Sequence, residues 1–586
     1  MLLPPPPARE PISRWVVGAV VAAAVLPRAV YLAQLHAECP TFDAPEGGDS
    51  IFYNRVAQHG GASDRAFFHS PLYQGWLTLL YQVLGRDLLV VRGLQLGLGA
   101  ATAALVAALG WRLTGRRSVA LLAGLVQALL GPAVFYEGHL LVDALMPLAL
   151  VGAAHGALSL AERPRPATGL VAGLLIGVAA TGRATALLWL PVLLVWSLRR
   201  SRSWALAGAL LAGAALPILP VTMLNLVAED DPVLLTSNAG LNLFIGNGPD
   251  ASGAYVPPRE LRFVPGDPHG DFAGREAAEQ DVGGPLSSAA VSRWWARRAL
   301  DAVVADPLRA LELVVAKARL LVSAREQPQL YHIEGYEQVA PVLGLLPGAG
   351  PVVALGLVGL LLLFAGPHGE RMRLYGWCVV ATAAAFLPFF VVGRFRAPWV
   401  SLLAPLAAWV LVTLARALAT GAWRRAAALV GGVVASAAVV WAPGPPVPPA
   451  AQLAAFADGE LARDRPSEAL RWGTLAVDEV VTWPRGWLIT AVALRRLGRL
   501  DEARGALRRG VSVCPESGAL HRALGEAELE RGRPAEAARA LERAVELEPG
   551  VPAAWEALAV ALRGEGRWGE AREARRSAAL LRSSAP

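Results

Sequence analysis

Lysine is almost absent from this chain: Lys317 is the single one among 586 residues. Ala, Gly, Arg and Pro are abundant, so the preference for arginine reflects compositional bias and carries little functional weight. Charge is scarce too, at 17% of residues against roughly 25% in an ordinary globular protein. With 54% hydrophobic residues beside it, that scarcity excludes the three or four water-soluble domains the length alone would suggest. The three cysteines, Cys39, Cys378 and Cys514, lie far apart, and no Cys-x-x-Cys pair or Cys/His ligand spacing occurs. Neither a disulfide framework nor a zinc site is implied, and no divalent metal is implied. A basic run with interleaved aromatics is also missing, so the net charge of +7 does not read as nucleic-acid binding.

What is present reads as membrane helix. Segments 15–35, 119–135 and 352–365 are apolar and nearly free of charge. A proline tract, Arg9 and Arg14 precede the first without a small-residue cleavage site, which favours a retained anchor helix over a cleaved signal peptide. Helix 1, about 15–35, leads to a polar loop, 36–87, and helix 2, about 88–109, returns to Arg112, Arg116 and Arg117. Helices 3 and 4 meet at the turn 137–139, and helix 4 ends at Arg163 and Arg165. The apolar stretch 168–198 is too long for one span and breaks at Thr181-Gly182-Arg183 into two short helices ending at Arg199, Arg200 and Arg202. Helix 7, about 204–227, precedes a second long loop, 228–339. Further spans end near Arg371 and Arg373, at Arg394 and Arg396, near Arg416, Arg424 and Arg425, and near Trp441, about eleven in all.

Nearly every arginine cluster falls on one side and both long loops on the other, so the positive-inside rule makes the arginine side cytoplasmic. The expectation is an all-α, polytopic helical bundle over 1–442 in a bacterial inner membrane, with 36–87 and 228–339 outside. An odd span count then puts the C-terminal domain in the periplasm.

The Pro-rich segment 443–449 reads as a stiff linker. Beyond it, 450–586 repeats. Gly498, Gly532 and Gly566 recur every 34 residues, as do Glu502-Ala503, Glu536-Ala537 and Glu570-Ala571, and Pro515 with Pro549. Trp487 and Trp555 stand two periods apart, and Glu468-Ala469 marks a weaker first copy. A 34-residue period with these residues resembles the tetratricopeptide repeat, a soluble α-solenoid. Its small residues let paired helices pack closely, and the proline ends the second helix of each pair. Such repeats are binding surfaces without chemistry of their own, which implies a protein partner or acceptor.

Residues able to carry chemistry sit in the loops. Asp49 lies just outside helix 1, ahead of a short helix, where a carboxylate meets a lipid-borne substrate at the membrane edge. There it either accepts a proton from an acceptor hydroxyl or merely caps the helix beginning near Ile51. Glu137, His139 and Asp143 cluster at the turn of helices 3 and 4; Asp143, inside the apolar run, needs a partner or a function. An arginine at the centre of a span costs roughly 2.5–3.5 kcal/mol, so Arg183 lines a cavity or finds an anion, unless it is an interfacial loop residue. Arg394 and Arg396 fall on the outer side, able to hold a phosphate or to anchor to headgroups. Lys317 sits in the amphipathic stretch 307–326. Its two readings are an interfacial helix with the ammonium at the headgroups and a roof over a site, with Lys317 or Glu326 facing substrate.

Several short motifs together resemble a known family. Asp49-Ser-Ile-Phe-Tyr53, His69-Ser-Pro-Leu-Tyr73 and Arg92-Gly-Leu-Gln95 are similar to the N-terminal half of the dolichyl-phosphate-mannose protein mannosyltransferases. Their bacterial relatives include the enzyme that adds aminoarabinose to lipid A. The segment Ser237-Asn-Ala-Gly-Leu-Asn242-Leu-Phe-Ile-Gly-Asn247, with Gly253 and Tyr255, resembles a loop of bacterial members that carry tetratricopeptide repeats. The stretch 317–326 and Arg394-Phe-Arg396-Ala-Pro398 match the same pattern, so the resemblance covers most of 10–415. It implies a C-type glycosyltransferase fold with an outward-facing site, a polyprenyl-phosphate-linked sugar as donor and Asp49 as catalytic base. By the same resemblance His69, Asp143, Asn242, Asn247, Lys317, Glu326, Arg394 and Arg396 fall to substrate binding, and Arg183 joins them on the cost of an arginine inside an apolar stretch. One position departs: the relatives carry Asp-Glu in the first loop, and here Ser50 follows Asp49.

The resulting expectation is an integral membrane glycosyltransferase acting on a protein, lipid or glycan acceptor, with the bilayer, the lipid-linked donor and a repeat-bound protein as partners. A lipid-linked sugar transporter is the first rival, and a non-catalytic scaffold displaying the repeats the second.

Overall fold

A computed structural model describes residues 12–45, 47–61, 65–229, 231–256, 258, 272–443 and 449–583. The proline tract with Arg9, and most of the 443–449 linker, lie outside the described residues. Among those described there are helices and no strands. The chain forms two units. The first comprises Met1–Ala37, Gly47–Ile333 and Val339–Pro445, and the second Glu38–Glu46, Glu334–Gln338 and Pro446–Pro586.

The first unit opens with α1 (Arg14–Glu38), α2 (Gly48–Gln58), α3 (Pro71–Leu84) and α4 (Leu88–Thr114). Then come α5 (Arg117–Leu129), α6 (Gly131–Glu137), α7 (Met146–Glu162), α8 (Pro166–Gly182), α9 (Trp189–Ser201) and α10 (Trp204–Ala228). Four helices fill the second long loop: α11 (Ala239–Asn247), α12 (Phe272–Val282), α13 (Ser288–Ala305) and α14 (Pro307–Val322). After the one-turn α15 (Ile333–Tyr336) come α16 (Gly350–Ala365), α17 (Glu370–Ala384), α18 (Gly393–Ala419) and α19 (Trp423–Val440).

The hydropathy boundaries and these helices agree closely, including the break at Arg183, where a 3-10 turn, Ala184–Leu188, joins α8 to α9. The span count is a different matter. Among the described residues α1, α4, α10, α18 and α19 are long and apolar enough to cross a membrane. The pair α5 and α6, bent by 53°, makes a sixth if it is one span, and α7, α8 and α16 are shorter apolar helices. Among the described residues, five or six of the eleven expected crossings meet that length and composition.

α18 is the central helix, buried along most of its length and packed on α4, α5, α7, α16 and α19. By contrast α1, α10 and α19 turn apolar side chains outward, among them Leu26, Leu216, Met223, Val430 and Val434. An apolar stripe left on the outside of a bundle is what hydrocarbon solvation requires. One charge sits inside helix 1, within the stretch read from sequence as nearly uncharged. Arg28 is buried and donates to Glu137 at 2.7 and 2.9 Å and to the Ala128 carbonyl at 2.7 Å. Glu137 is therefore an interior partner and not a solvated turn residue.

The second unit stacks four helix pairs: α20 (Ala450–Ala462) with α21 (Pro466–Glu479), α22 (Pro484–Arg496) with α23 (Leu500–Val513), α24 (Gly518–Glu530) with α25 (Pro534–Leu547), and α26 (Pro552–Gly564) with α27 (Trp568–Ser583). The 34-residue period has a backbone cause. Gly498, Gly532 and Gly566 turn each hairpin with φ of 73°, 69° and 82°, in the left-handed region where a Cβ is costly. One period earlier Asp464 takes the same conformation at φ 57°. A second recurrence was invisible in composition. Trp487, His521 and Trp555 each reach the carbonyl six residues earlier, at Val481, Pro515 and Pro549, over 2.8–3.0 Å. The unit also recruits sequence from far upstream. Phe456 of α20 meets the Tyr336 ring at 5.1 Å, and a Cβ on Gly459 would stand 3.0 Å from Thr41.

Asp464→Gly should therefore stabilise this unit by about 0.5–1 kcal/mol, and Gly532→Ala should destabilise it by about 1–2 kcal/mol. Hydrogen-exchange protection of α20 to α25 in the purified protein measures both.

Candidate functional site

Three of the short motifs form one hydrogen-bonded wall. The Tyr53 hydroxyl accepts from the Ser70 backbone N–H at 3.0 Å, which joins α2 to the start of α3. Tyr73, one turn on, donates to Gln95 of α4 at 2.9 Å. Gln95 in turn donates to the carbonyls of Glu137 and His139, and Arg92 donates to that of Gly138. The wall thus fixes the turn after α6, and four residues beyond it stands Asp143.

Tyr53 and Ser70 of this wall also line a cavity of about 820 Å³. Its lining includes the polar side chains of Asp49, His69, Arg183 and Arg394 and the apolar ones of Met146, Leu150, Trp189, Phe386 and Phe389. Gly47, at φ 81°, starts α2, so Asp49 falls in the first turn and caps nothing. Its carboxylate instead accepts from Arg394 at 2.7 Å and stands 3.9 Å from His69. Asp143 is fully buried behind the two arginines, ion-paired to Arg183 and 3.5 Å from Arg394. Arg183 also donates to the Phe395 carbonyl at 3.3 Å and lies 4.1 Å over the Phe395 ring, so it faces the cavity rather than an interface. Burial alone would raise the Asp49 carboxyl, but the charges of Arg394, His69 and Arg183 outweigh it and hold it below its ordinary value. Asp49 is therefore ionised at neutral pH.

The sequence-derived site residues divide into two groups. Asp49, His69, Arg183, Asn242 and Arg394 line the cavity, and Asp143 supports its arginines. Asn247, Lys317, Glu326 and Arg396 do not line it; they hold its frame. The supposed loop around Asn242 is the helix α11, and a Cβ on Gly240 or Gly246 would collide with the backbone of Ser292 or Phe389. Asn247 donates to the Leu243 and Pro388 carbonyls. Lys317 neither reaches headgroups nor faces the cavity. It is buried and donates to Asn247 at 2.8 Å and to the Leu387 carbonyl at 3.0 Å. Arg396, read as a headgroup or phosphate contact, is fully buried. It pairs with Glu326 at 2.7 Å and donates to the carbonyls of Leu321, Ser323 and Arg325. Ser50, which follows Asp49, does not line the cavity; it donates to the Leu140 carbonyl and accepts from Tyr331. A second carboxylate, that of Asp143, stands at the same two arginines.

Other lining residues escaped sequence reasoning. Gln329 accepts from Arg394 at 2.9 Å, and Trp189, Phe386, Phe389, Phe390 and Phe395 supply the aromatic surface. The aromatic run 386–395 beside Arg394 was the available signal; it read as ordinary membrane helix because apolar residues are the background there.

Burial pushes the Lys317 ammonium down to about 8 from its ordinary 10.5. An unfolded chain then holds more protons than the folded one between these values, so the penalty for burying the charge is full below pH 8 and lifts as pH rises toward 10.5. The thermal midpoint of wild type relative to Lys317→Met should accordingly rise across that window, measured in detergent.

The family model of the tetratricopeptide repeat matches residues 484–527 and 518–561. The crystal structure of MamA is similar at 19% identity, covering 23% of this chain and 78% of that one, with a TM-score of 0.22. MamA from Desulfovibrio magneticus RS-1 is 23% identical over 22% and 75% of the two chains, with a TM-score of 0.21. The Sgt2 TPR domain from Aspergillus fumigatus is 24% identical over 22% and 88%, with a TM-score of 0.20. No curated protein matches the chain. With its 34-residue period, its stacked helix pairs and this family match, the C-terminal unit is a tetratricopeptide-repeat domain.

Proposed function

We propose that the first unit is a membrane glycosyltransferase that takes a sugar from a polyprenyl-phosphate carrier and passes it to an acceptor hydroxyl on the outer face of a bacterial inner membrane. One observation carries this reading: a single cavity is lined by Arg183, Arg394 and an ionised carboxylate together with an aromatic and aliphatic surface. A prenyl chain suits the apolar lining, and a phosphodiester suits the planar donor forks of Arg183 and Arg394. Arg394 holds Asp49 by Oδ2, which leaves Oδ1 to receive a proton.

In the transfer, Asp49 removes the proton of the acceptor hydroxyl as its oxygen bonds to the anomeric carbon. The bond from that carbon to the phosphate oxygen breaks, and the electron pair leaves with the carrier phosphate. Arg183 and Arg394 are in place beforehand to meet the charge that develops. A protein bound to the tetratricopeptide repeats is the acceptor or brings it.

The test is transfer from a panel of polyprenyl-phosphate sugars to membrane extracts. Asp49→Asn should express normally and lose roughly 10²–10⁴-fold in rate; full activity would leave Asp49 a structural residue. Arg183→Gln should raise the donor KM by about tenfold or more, the worth of a charged hydrogen bond.

A further inference from the structure

The pairing of Arg394 with Asp49 is incomplete for an arginine and a carboxylate. Such groups commonly dock as parallel forks, with two N–H donors on two oxygens. Here a single contact forms: Nη1 of Arg394 donates to Oδ2 of Asp49 at 2.7 Å. The same Nη1 stands 3.5 Å from Oδ2 of Asp143, and Nε donates to the side-chain oxygen of Gln329 at 2.9 Å. Among the described residues nothing accepts from Nη2, and Oδ1 of Asp49 faces His69 at 3.9 Å. The guanidinium is planar and rigid, so turning Nη2 onto Oδ1 to complete the fork would pull Nε off Gln329.

Gln329 is held in place by the segment around it. Two residues earlier the Gln327 carbonyl accepts from the Gly393 N–H at 2.7 Å, and two residues later the Tyr331 hydroxyl donates to Ser50 at 2.7 Å. Gly393 precedes Arg394 and Ser50 follows Asp49, so the segment is tied down beside both members of the pair and carries Gln329 between the ties. The His139 ring stacks on Tyr331 at 3.9 Å and steadies the second tie. The amide N–H of Gln329 donates to the Tyr255 hydroxyl, which leaves its oxygen for Arg394. Gln329 and Tyr255 both line the cavity. An amide supplies this acceptor without charge, whereas a carboxylate there would add a third anion around Arg394 and oppose an arriving phosphate.

We propose that Gln329 is a positioning residue for the transfer: its neutral amide holds Arg394 to a single contact with Asp49, which keeps Oδ1 of Asp49 open for a proton and Nη2 of Arg394 open for the donor phosphate. The role rests on the transfer reading for the identity of the phosphate, while the single contact stands without it.

Equilibrium binding of decaprenyl phosphate to the purified full chain in detergent tests this role. Wild type should bind it. Gln329→Met, similar in length but without the acceptor, should bind about tenfold more weakly, because Arg394 then closes on both oxygens of Asp49. In an Asp49→Asn background no carboxylate draws the second donor, and the same Gln329→Met change should alter binding less than about twofold. Equal weakening in both backgrounds is what a merely structural Gln329 would give, and it would overturn the proposal. So would a wild type that does not bind decaprenyl phosphate. If Gln329→Met fails to elute as folded protein, Gln329→Asn, whose amide falls one methylene short of Arg394, is compared in the same two backgrounds with the same expectation. Where sugar transfer is detected, Gln329→Met should lower kcat about tenfold besides raising the donor KM, since Oδ1 is then occupied; an unchanged kcat would overturn the effect on Asp49. The expected binding pattern without transfer from any polyprenyl-phosphate sugar would support the positioning of Arg394 and overturn the transfer reading alone.

Discussion

Two guanidiniums and two carboxylates cancel one another beside a mostly apolar cavity, and the local structure is organised around that cancellation. Asp143, fully buried, would be untenable alone, since an unpaired carboxylate in such a setting costs several kcal/mol. Arg183 and Arg394 reach it from the break after α8 and from the start of α18, two places far apart in sequence. Asp49 joins from a third element, α2, and the balance of charge is met by geometry alone. The same arrangement leaves both arginines aimed at the cavity, where an arriving phosphate competes with carboxylates for their donors. Readiness for an anion and stability without one thus come from the same four side chains.

Around this group the structure divides labour among residues that looked alike in sequence. Arg394 and Arg396 are two positions apart on one helix, so they point in different directions, and only the first meets the cavity. Arg396 instead collects the carbonyls after α14 and the Glu326 carboxylate, closing the end of a helix whose own carbonyls lack intrahelical partners. Lys317 does comparable work for α11 and the chain near Leu387. A short ammonium with tetrahedral donors suits two acceptors at that corner. Such residues matter to the site through position rather than contact.

The repeat unit obeys a simpler physics, because each helix pair buries its apolar face only against the next. Its core residues recur with the period, as Ala503, Leu507, Ala537 and Leu541 do. Its first pair is completed by the 38–46 and 334–338 segments, which no periodicity could have disclosed.

By itself the sequence determined the helical class, most helix boundaries, the break at Arg183, the repeats and their period. These depend on local hydrophobic patterning and on backbone conformations such as the left-handed glycines, and both are readable over a few residues. It also supplied the motifs that meet at the wall of Tyr53, Ser70, Tyr73 and Gln95, though not that they meet. Only the tertiary structure decided which charged residues share a cavity, because pairing across α2, α8 and α18 is a matter of distances between elements that the linear chain does not contain. It likewise placed Asn247, Lys317, Glu326 and Arg396 outside the cavity lining, buried Glu137 against Arg28 and bonded Ser50 to Leu140 and Tyr331. In each case the rule was the same: a charged or polar group inside an apolar body must find its counterpart, and where that counterpart stands is set by packing.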